Sequence, residues 1–478
     1  MSVPSGIKRM KTSLRAVVLL LSLVGLVAPV IAQPQGEPWT VGVATRKLTP
    51  AGPIWMSGYA NRTAPSSGVD QDLFTKALAL DDGRGGRMVI VTLDLIGIPA
   101  SLRQYVEREC ATRFKLKPDE ILLNASHTHC GPQVSPDRME LEVGFRRTAN
   151  PAQIAAVHQY ARFLEQVVVE VIGASLQNPT AAKLEFSQAR AGFAMNRRRP
   201  EPNGKFSNNP YPEGPVDHDV PVLKVSGADG KIRALLFGYA CHNTTLSGSQ
   251  LSGDYAGYAQ QYLETSYPGA TALFMTGCGG DQNPYPRRDM VPGHPPEDLV
   301  QHHGRALANA VSSALAARQR PVAGPLRSAL AYADLEYAPL SVDQLKSFQT
   351  NAHTPGVVAR AQRLTEASQR GEKPAPYACP VQVVRFGGDI TLVAIGGEVV
   401  VDYALRLKSE LKGPAAVWVA GYSNDVFGYL GSRRVIQEGG YEGLEANIRI
   451  LNHPGGFTPA VEDTIVAKVH ELHRQTER

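Results

Sequence analysis

The chain has 478 residues, 43% hydrophobic and 19% charged, a globular balance that excludes a disordered or fibrous protein. Its net charge of +5 is mild, and no dense Lys/Arg run or aromatic-basic motif appears, which excludes a nucleic-acid module and nucleic acid as a partner. Five cysteines (Cys110, Cys130, Cys241, Cys278, Cys379) are too few and too scattered for a disulfide framework, although a single bridge near the site motifs stays open.

At the N-terminus, Lys8, Arg9, Lys11 and Arg15 precede an uncharged apolar run over residues 16–32. This pattern predicts a secretory signal peptide over 1–32 and an exported, periplasmic or secreted, mature chain. The run falls short of the roughly 20 apolar residues that a membrane span needs. No later stretch is long and apolar enough, so the mature chain is expected to have no transmembrane segment.

Residues 88–94 predict a buried strand, 101–114 a helix with Leu102, Tyr105 and Val106 on one face, and 120–129 another strand. The longest helical pattern covers 151–176, with proline near its start, where a missing N–H costs little. Residues 220–225 and 232–241 predict a hairpin around Asp229-Gly230 whose second strand ends at His242. Ser252-Gly253-Asp254 opens a helix with Asp254 near the positive end of its dipole. Residues 274–276 run into the glycine-dense turn Gly277-Cys278-Gly279-Gly280-Asp281, where backbone can approach a ligand closely; it lacks the Gly-Lys-Ser/Thr ending of a phosphate loop.

Further on, Ile395-Gly396-Gly397-Glu398 joins an apolar strand to an amphipathic helix, and 420–429 reads as a strand followed by a polar turn bearing Tyr429. Three Pro/Gly/Asn-rich stretches, 199–216, 283–296 and 430–440, each follow a candidate site residue and read as loops framing a cleft. Short strand patterns alternate with longer helical ones, without an internal repeat of fixed period. The fold class is therefore α/β: a single large mixed-sheet domain over residues 33–478.

On a strand, alternate side chains share a face, so 120–129 would project His127 and His129 together. One imidazole can bind a metal while the other hydrogen-bonds at the reacting group. Gly131-Pro132 ends the strand and leaves both rings at a strand end, where α/β clefts form. Taken alone, His242 reads as a satisfied core histidine and Glu398 equally well as a helix-start carboxylate.

The ordered set is more specific than its members. Ser126-His127-Thr128-His129 with Gly131-Pro132, His242 at a strand end, Ser252-Gly253-Asp254, Gly280-Asp281-Gln282-Asn283-Pro284, Gly397-Glu398 and the Asn424 to Tyr429 segment resemble, in the same order, motifs of the neutral/alkaline non-lysosomal ceramidase family. Met56-Ser57-Gly58-Tyr59-Ala60 and Asn196-Arg197 also resemble family segments, so the likeness runs from about residue 40 to about residue 445. It implies a zinc ion (Zn2+) held by His127, His242, Glu398 and Tyr429, with an open position for water, whose pKa zinc lowers to about 7. It also implies His129 and Arg197 near the substrate carbonyl, with Asp281 and Asn283 completing the catalytic set. The implied partner is a small-molecule or lipid N-acyl substrate, ceramide first, reached with or without contact to a membrane surface; the oligomeric state stays open.

Two departures bear on the substrate. Asn283 stands where the family motif has serine, and an amide can neither attack nor give up a proton near neutral pH. The family's C-terminal immunoglobulin-like domain is expected to be missing, because fewer than 50 residues follow Tyr429. The loop arginines Arg197-Arg198-Arg199, Arg287-Arg288 and Arg433-Arg434 would favour a substrate bearing negative charge or many hydroxyls. Three readings therefore stand: a zinc amidase of ceramidase type, the same zinc site acting on a polar, glycan-related or anionic amide or ester, and an exported binding protein without turnover.

Overall fold

The computed structural model describes residues 39–144, 147–288, 290, 295–352 and 354–477. The expected signal peptide lies outside them. In chain order the elements that build the fold are β1 (Trp39–Lys47), β2 (Phe74–Asp81), β3 (Arg87–Leu93), α1 (Ala100–Phe114), β4 (Ile121–Ala125), α2 (Pro151–Ser175), β5 (Thr180–Arg190), β6 (Asp219–Gly227) and β7 (Ile232–Tyr239). These are followed by α3 (Asp254–Ser266), β8 (Thr271–Thr276), α4 (Pro296–Ala316), β9 (Leu326–Leu335), β10 (Tyr377–Phe386), β11 (Ile390–Ile395), α5 (Val401–Glu410), β12 (Ala416–Ala420) and α6 (Val461–Glu477).

A mixed sheet runs β8-β7-β6-β5-β1-β2-β3-β4, with Arg320–Pro321 paired onto β5, and a second sheet runs β9-β10-β11-β12. Strand alternation sorts the core into layers. Val89, Val91 and Leu93 of β3 point to a cluster shared with α1 and α2, whereas Met88 and Ile90 point the other way, onto Leu392 and Trp418 of the second sheet. The β6–β8 half packs its outer face on α3 and α4, and the second sheet packs its outer face on α5 and α6. Two sheets thus lie face to face between layers of helices. The helix ends carry their reasons locally: Asn150 accepts from the Gln153 amide, and Gln153 reaches back to the Asn150 amide, so α2 starts on a capping box.

Three segments share one design that the sequence does not announce as a repeat. Each is an antiparallel hairpin, a crossover helix and a strand returning parallel to the second hairpin strand: β2-β3-α1-β4, β6-β7-α3-β8 and β10-β11-α5-β12. The first two occupy opposite edges of the large sheet, which curls until the ends of β4 and β8 touch. Asn124 ties the three returning strands together. Its side chain accepts from the Thr276 amide at 2.8 Å and donates to the Gly421 carbonyl at 2.8 Å, with no exposure to solvent. Asn124→Ala should cost about 2–4 kcal/mol, because it orphans buried backbone groups on two neighbouring strands. Denaturant midpoints measure this; a loss below about 1 kcal/mol would contradict the tie.

All five cysteines are buried free thiols. No described helix is long and apolar enough to cross a membrane.

Candidate metal centre

The ends of the hairpin and return strands deliver the candidate residues to one point. His127 lies just past β4, His242 just past β7 and Glu398 just past β11. The short strand Tyr429–Leu430 pairs in parallel with Glu398–Val399 and sets Tyr429 opposite Glu398. Gly280, in the glycine-dense turn, packs so closely there that a Cβ would stand 2.7 Å from the Glu398 carbonyl oxygen.

The two histidines meet for a reason other than strand alternation. β4 stops at Ala125, and His127 takes a φ of 61°, the left-handed region that a histidine seldom occupies. The turn brings His129 Nε2 to 3.1 Å from His127 Nε2, with the rings edge to face. Gly58, also at positive φ, makes room for this ring, since a Cβ there would lie 2.7 Å from His129.

Hydrogen bonding assigns the tautomers. His127 Nδ1 lies 2.6 Å from the Ile96 carbonyl and His242 Nδ1 lies 2.7 Å from the Gly279 carbonyl; a carbonyl only accepts, so both protons sit on Nδ1. Both Nε2 atoms are then lone pairs. They point at Glu398 Oε2 from 3.2 and 3.4 Å, and that oxygen, buried, has no hydrogen-bond partner. Electron-rich atoms without a proton between them repel one another, unless a cation occupies the space they surround. Ring nitrogens of His127, His129 and His242 all lie within 4.8 Å of one another, so this group can hold a metal ion. His129 differs in one respect: its Nδ1 is buried without a partner, so no carbonyl fixes its tautomer as a ligand's would be fixed.

Burial, aided by the charge of Arg197, pushes His242 down to about 4. Burial with His127 and His242 nearby pushes His129 well below its ordinary value. For the metal-free protein the sign of the His242 linkage follows. Its neutral ring supports folding fully above the ordinary 6.5, and that support is lost as pH falls through about 4. Urea titrations of chelated protein should show wild type losing a few kcal/mol relative to His242→Gln over that window; parallel pH profiles would contradict it.

Arg197 organises the opposite wall. It donates to Glu442 (Nε, 2.8 Å), Asn283 Oδ1 (3.0 Å) and the Tyr429 hydroxyl (2.8 Å), and that hydroxyl lies 3.2 Å from His242 Nε2. Burial pushes the Tyr429 phenol well above its ordinary range, with Arg197 opposing. Asp281 is elsewhere. Its two oxygens accept from the Val401 amide, where α5 begins, and from Asn196, and it lines neither cavity at the site. It supports the segments that carry Glu398 and Arg197 from behind and faces neither cavity.

Two cavities meet at the centre, sharing His129 and Tyr429 in their walls. One of about 410 Å³ includes His127, Glu398 and apolar residues such as Ile98, Leu141 and Phe427. The other, of about 160 Å³, includes Arg197, Asn283, Arg287 and Arg288. The loop arginines thus divide: Arg198, Arg433 and Arg434 are spent on Glu442, Asp463 and Asp402, and Arg199 on Glu201. Tyr422 and Glu442 escape sequence reasoning. The Tyr422 ring lies 4.6 Å from that of His127, with its hydroxyl buried and unpartnered, and Glu442 bridges Arg197 and Arg198.

Comparison with known proteins bears on this geometry. The family profile described as neutral/alkaline non-lysosomal ceramidase, N-terminal, matches residues 39–282, about half of the chain. This chain belongs to that family. Family relatives include neutral ceramidase A of Dictyostelium discoideum, 24% identical over 50% of this chain, and a neutral ceramidase of Oryza sativa subsp. japonica, 26% identical over 52%. The matched stretches span only 34% and 31% of those proteins. The fold likeness reaches further. A crystal structure of neutral ceramidase from Pseudomonas aeruginosa superposes with a TM-score of 0.70 at 19% identity, covering 91% of this chain and 74% of that one. A ceramidase complexed with C2 superposes at 0.68 and 19% identity, covering 91% and 76%. Glu398 and Tyr429 lie beyond the profile match; they join the family-matched histidines through the fold.

Proposed function

We propose that this chain is a zinc-dependent amide hydrolase of ceramidase type that cleaves an N-acyl linkage. The observation that carries the reading is the convergence of His127 Nε2, His242 Nε2 and Glu398 Oε2 without a proton between them, in a chain of the ceramidase family. Two neutral imidazoles and a carboxylate are ordinary zinc donors, and the Tyr429 hydroxyl stands beside the remaining position. When bound, zinc supplies Lewis acidity, polarising a carbonyl and acidifying water.

The chain's own groups do the rest. His129, kept neutral by burial, is a poor base but a fitting hydrogen-bond donor to an oxygen gaining charge. Tyr429 stays protonated and is polarised by Arg197, giving a second donor on the same side. Asn283, oriented by Arg197, can hydrogen-bond substrate but cannot supply a nucleophile. The basic residues and apolar run over 1–32 support an exported site of action.

The test is a metal and turnover assay on the purified protein. About one zinc per chain, loss of N-acyl amide hydrolysis on chelation and recovery on zinc addition are expected. Turnover at less than about 0.3 zinc per chain would overturn the reading. Ligand binding without turnover on any amide or ester would favour a binding protein instead.

A further inference from the structure

We infer that the smaller cavity beside the metal centre receives an oxyanion, so that the substrate is an N-acyl compound whose amine half carries a carboxylate or similar anion, unlike the neutral hydroxyls of ceramide. This rests on the hydrolase reading above. The cavity of about 160 Å³ contains three guanidinium groups in its wall, Arg197, Arg287 and Arg288, and no Asp or Glu among the described residues. The charge of Arg197 is balanced by Glu442 at 2.8 Å.

Arg288 is different. Half-buried, it donates to the Thr244 carbonyl at 2.7 Å, lies over the Tyr59 ring at 5.3 Å, and makes no ion pair with a described carboxylate. Asp254, the carboxylate that acts on Tyr59 from behind, has its oxygens committed to the Thr245, Leu246 and Tyr255 amides. Tyr59 in turn leans on His129, with ring centroids 5.0 Å apart. A cation with no counter-charge among the described residues, held one ring away from His129, suits a short anionic group on the bound molecule.

The two cavities divide the substrate at the scissile bond. The larger one also holds charged residues, Arg138, Arg147, Arg360 and Arg449 with Asp137, Glu142 and Asp425, but Ile96, Ile98, Val134, Leu141, Val426 and Phe427 give it the apolar wall that an acyl chain needs. The smaller one has space for a headgroup of a few atoms. The carbonyl would then lie between them, at His129 and Tyr429.

The experiment compares N-dodecanoylglycine with N-dodecanoylethanolamine, the same amide with and without the charge, on zinc-loaded wild type, R288Q and R288K. Inorganic sulfate is titrated calorimetrically into the same preparations, and unfolding midpoints verify that each variant folds. In wild type, kcat/KM should favour the glycine conjugate roughly tenfold or more. The ratio should fall to about 1 in R288Q and recover in part in R288K, while sulfate binds R288Q about tenfold more weakly. A wild-type ratio near 1, or a ratio unchanged in R288Q, overturns the inference and leaves the hydrolase reading standing. If neither amide is cut but sulfate binding still depends on Arg288, the oxyanion site stands and the hydrolase reading falls. Absence of both turnover and sulfate binding overturns both.

Discussion

Glu398→Gln is expected to lower kcat/KM on the order of 10³-fold or more and to reduce bound zinc below half occupancy. The substitution keeps the size and shape of the side chain but removes the charge and places an amide NH2 among lone pairs. His127 Nε2 and His242 Nε2 lie 3.2 and 3.4 Å from the present carboxylate oxygen and can each accept from that amide. The introduced amide would satisfy, with hydrogen bonds, the atoms that otherwise need a cation. The metal-free variant should therefore be at least as stable as metal-free wild type, whereas zinc should stabilise wild type far more than the variant. Metal analysis, turnover and unfolding midpoints with and without chelator measure the three consequences. Full zinc content together with turnover within about tenfold of wild type would remove Glu398 from the metal centre.

The ligand candidates are legible because each sits in a short motif at the end of an apolar strand pattern. His127, His242, Glu398 and Tyr429 do come together, although the local geometry at His127 differs from the strand reading. Alternation along 120–129 presumes extended backbone, and His127 instead occupies the left-handed region just past a shorter strand. Such a residue is held by its surroundings rather than by its own preference.

Two of the stretches that read as loops hold more structure than their composition suggests. Within 199–216, Phe206–Asn208 pairs with Arg198–Pro200, and within 430–440 the helix Arg433–Glu438 starts on Ser432, whose side chain accepts from the Val435 amide. That cap is a readable signal, masked by the glycines flanking the helix. The threefold recurrence of hairpin, helix and returning strand leaves no repeat in the sequence, because core positions demand apolar volume and not identity. The partnership of Arg197 with Glu442 cannot be read at all: the residues are remote in sequence, and only the folded chain makes them neighbours.

Arg197→Ala is expected to lower kcat on the order of 10²-fold or more while zinc stays bound. The guanidinium reaches three groups in three directions, Glu442, Asn283 and the Tyr429 hydroxyl, and all four side chains are buried. Its removal leaves Glu442 with Arg198 as its remaining ion partner and should destabilise the fold by about 3–5 kcal/mol. It also strips Tyr429 of the donor that polarises it. Arg197→Lys restores charge but not the planar fork, so a single ammonium can recover the Glu442 pair or the Tyr429 contact but not the whole arrangement. Tyr429→Phe separates the effects, because it deletes the hydroxyl and leaves the Arg197–Glu442 pair intact. If Arg197 acts on turnover through Tyr429, the activity losses of Arg197→Ala and Tyr429→Phe should be less than additive in the double variant, while Arg197→Ala alone carries most of the stability loss. Fully additive activity losses, or loss of zinc in Arg197→Ala comparable to that in Glu398→Gln, would show that Arg197 builds the metal centre itself rather than the donor wall facing it.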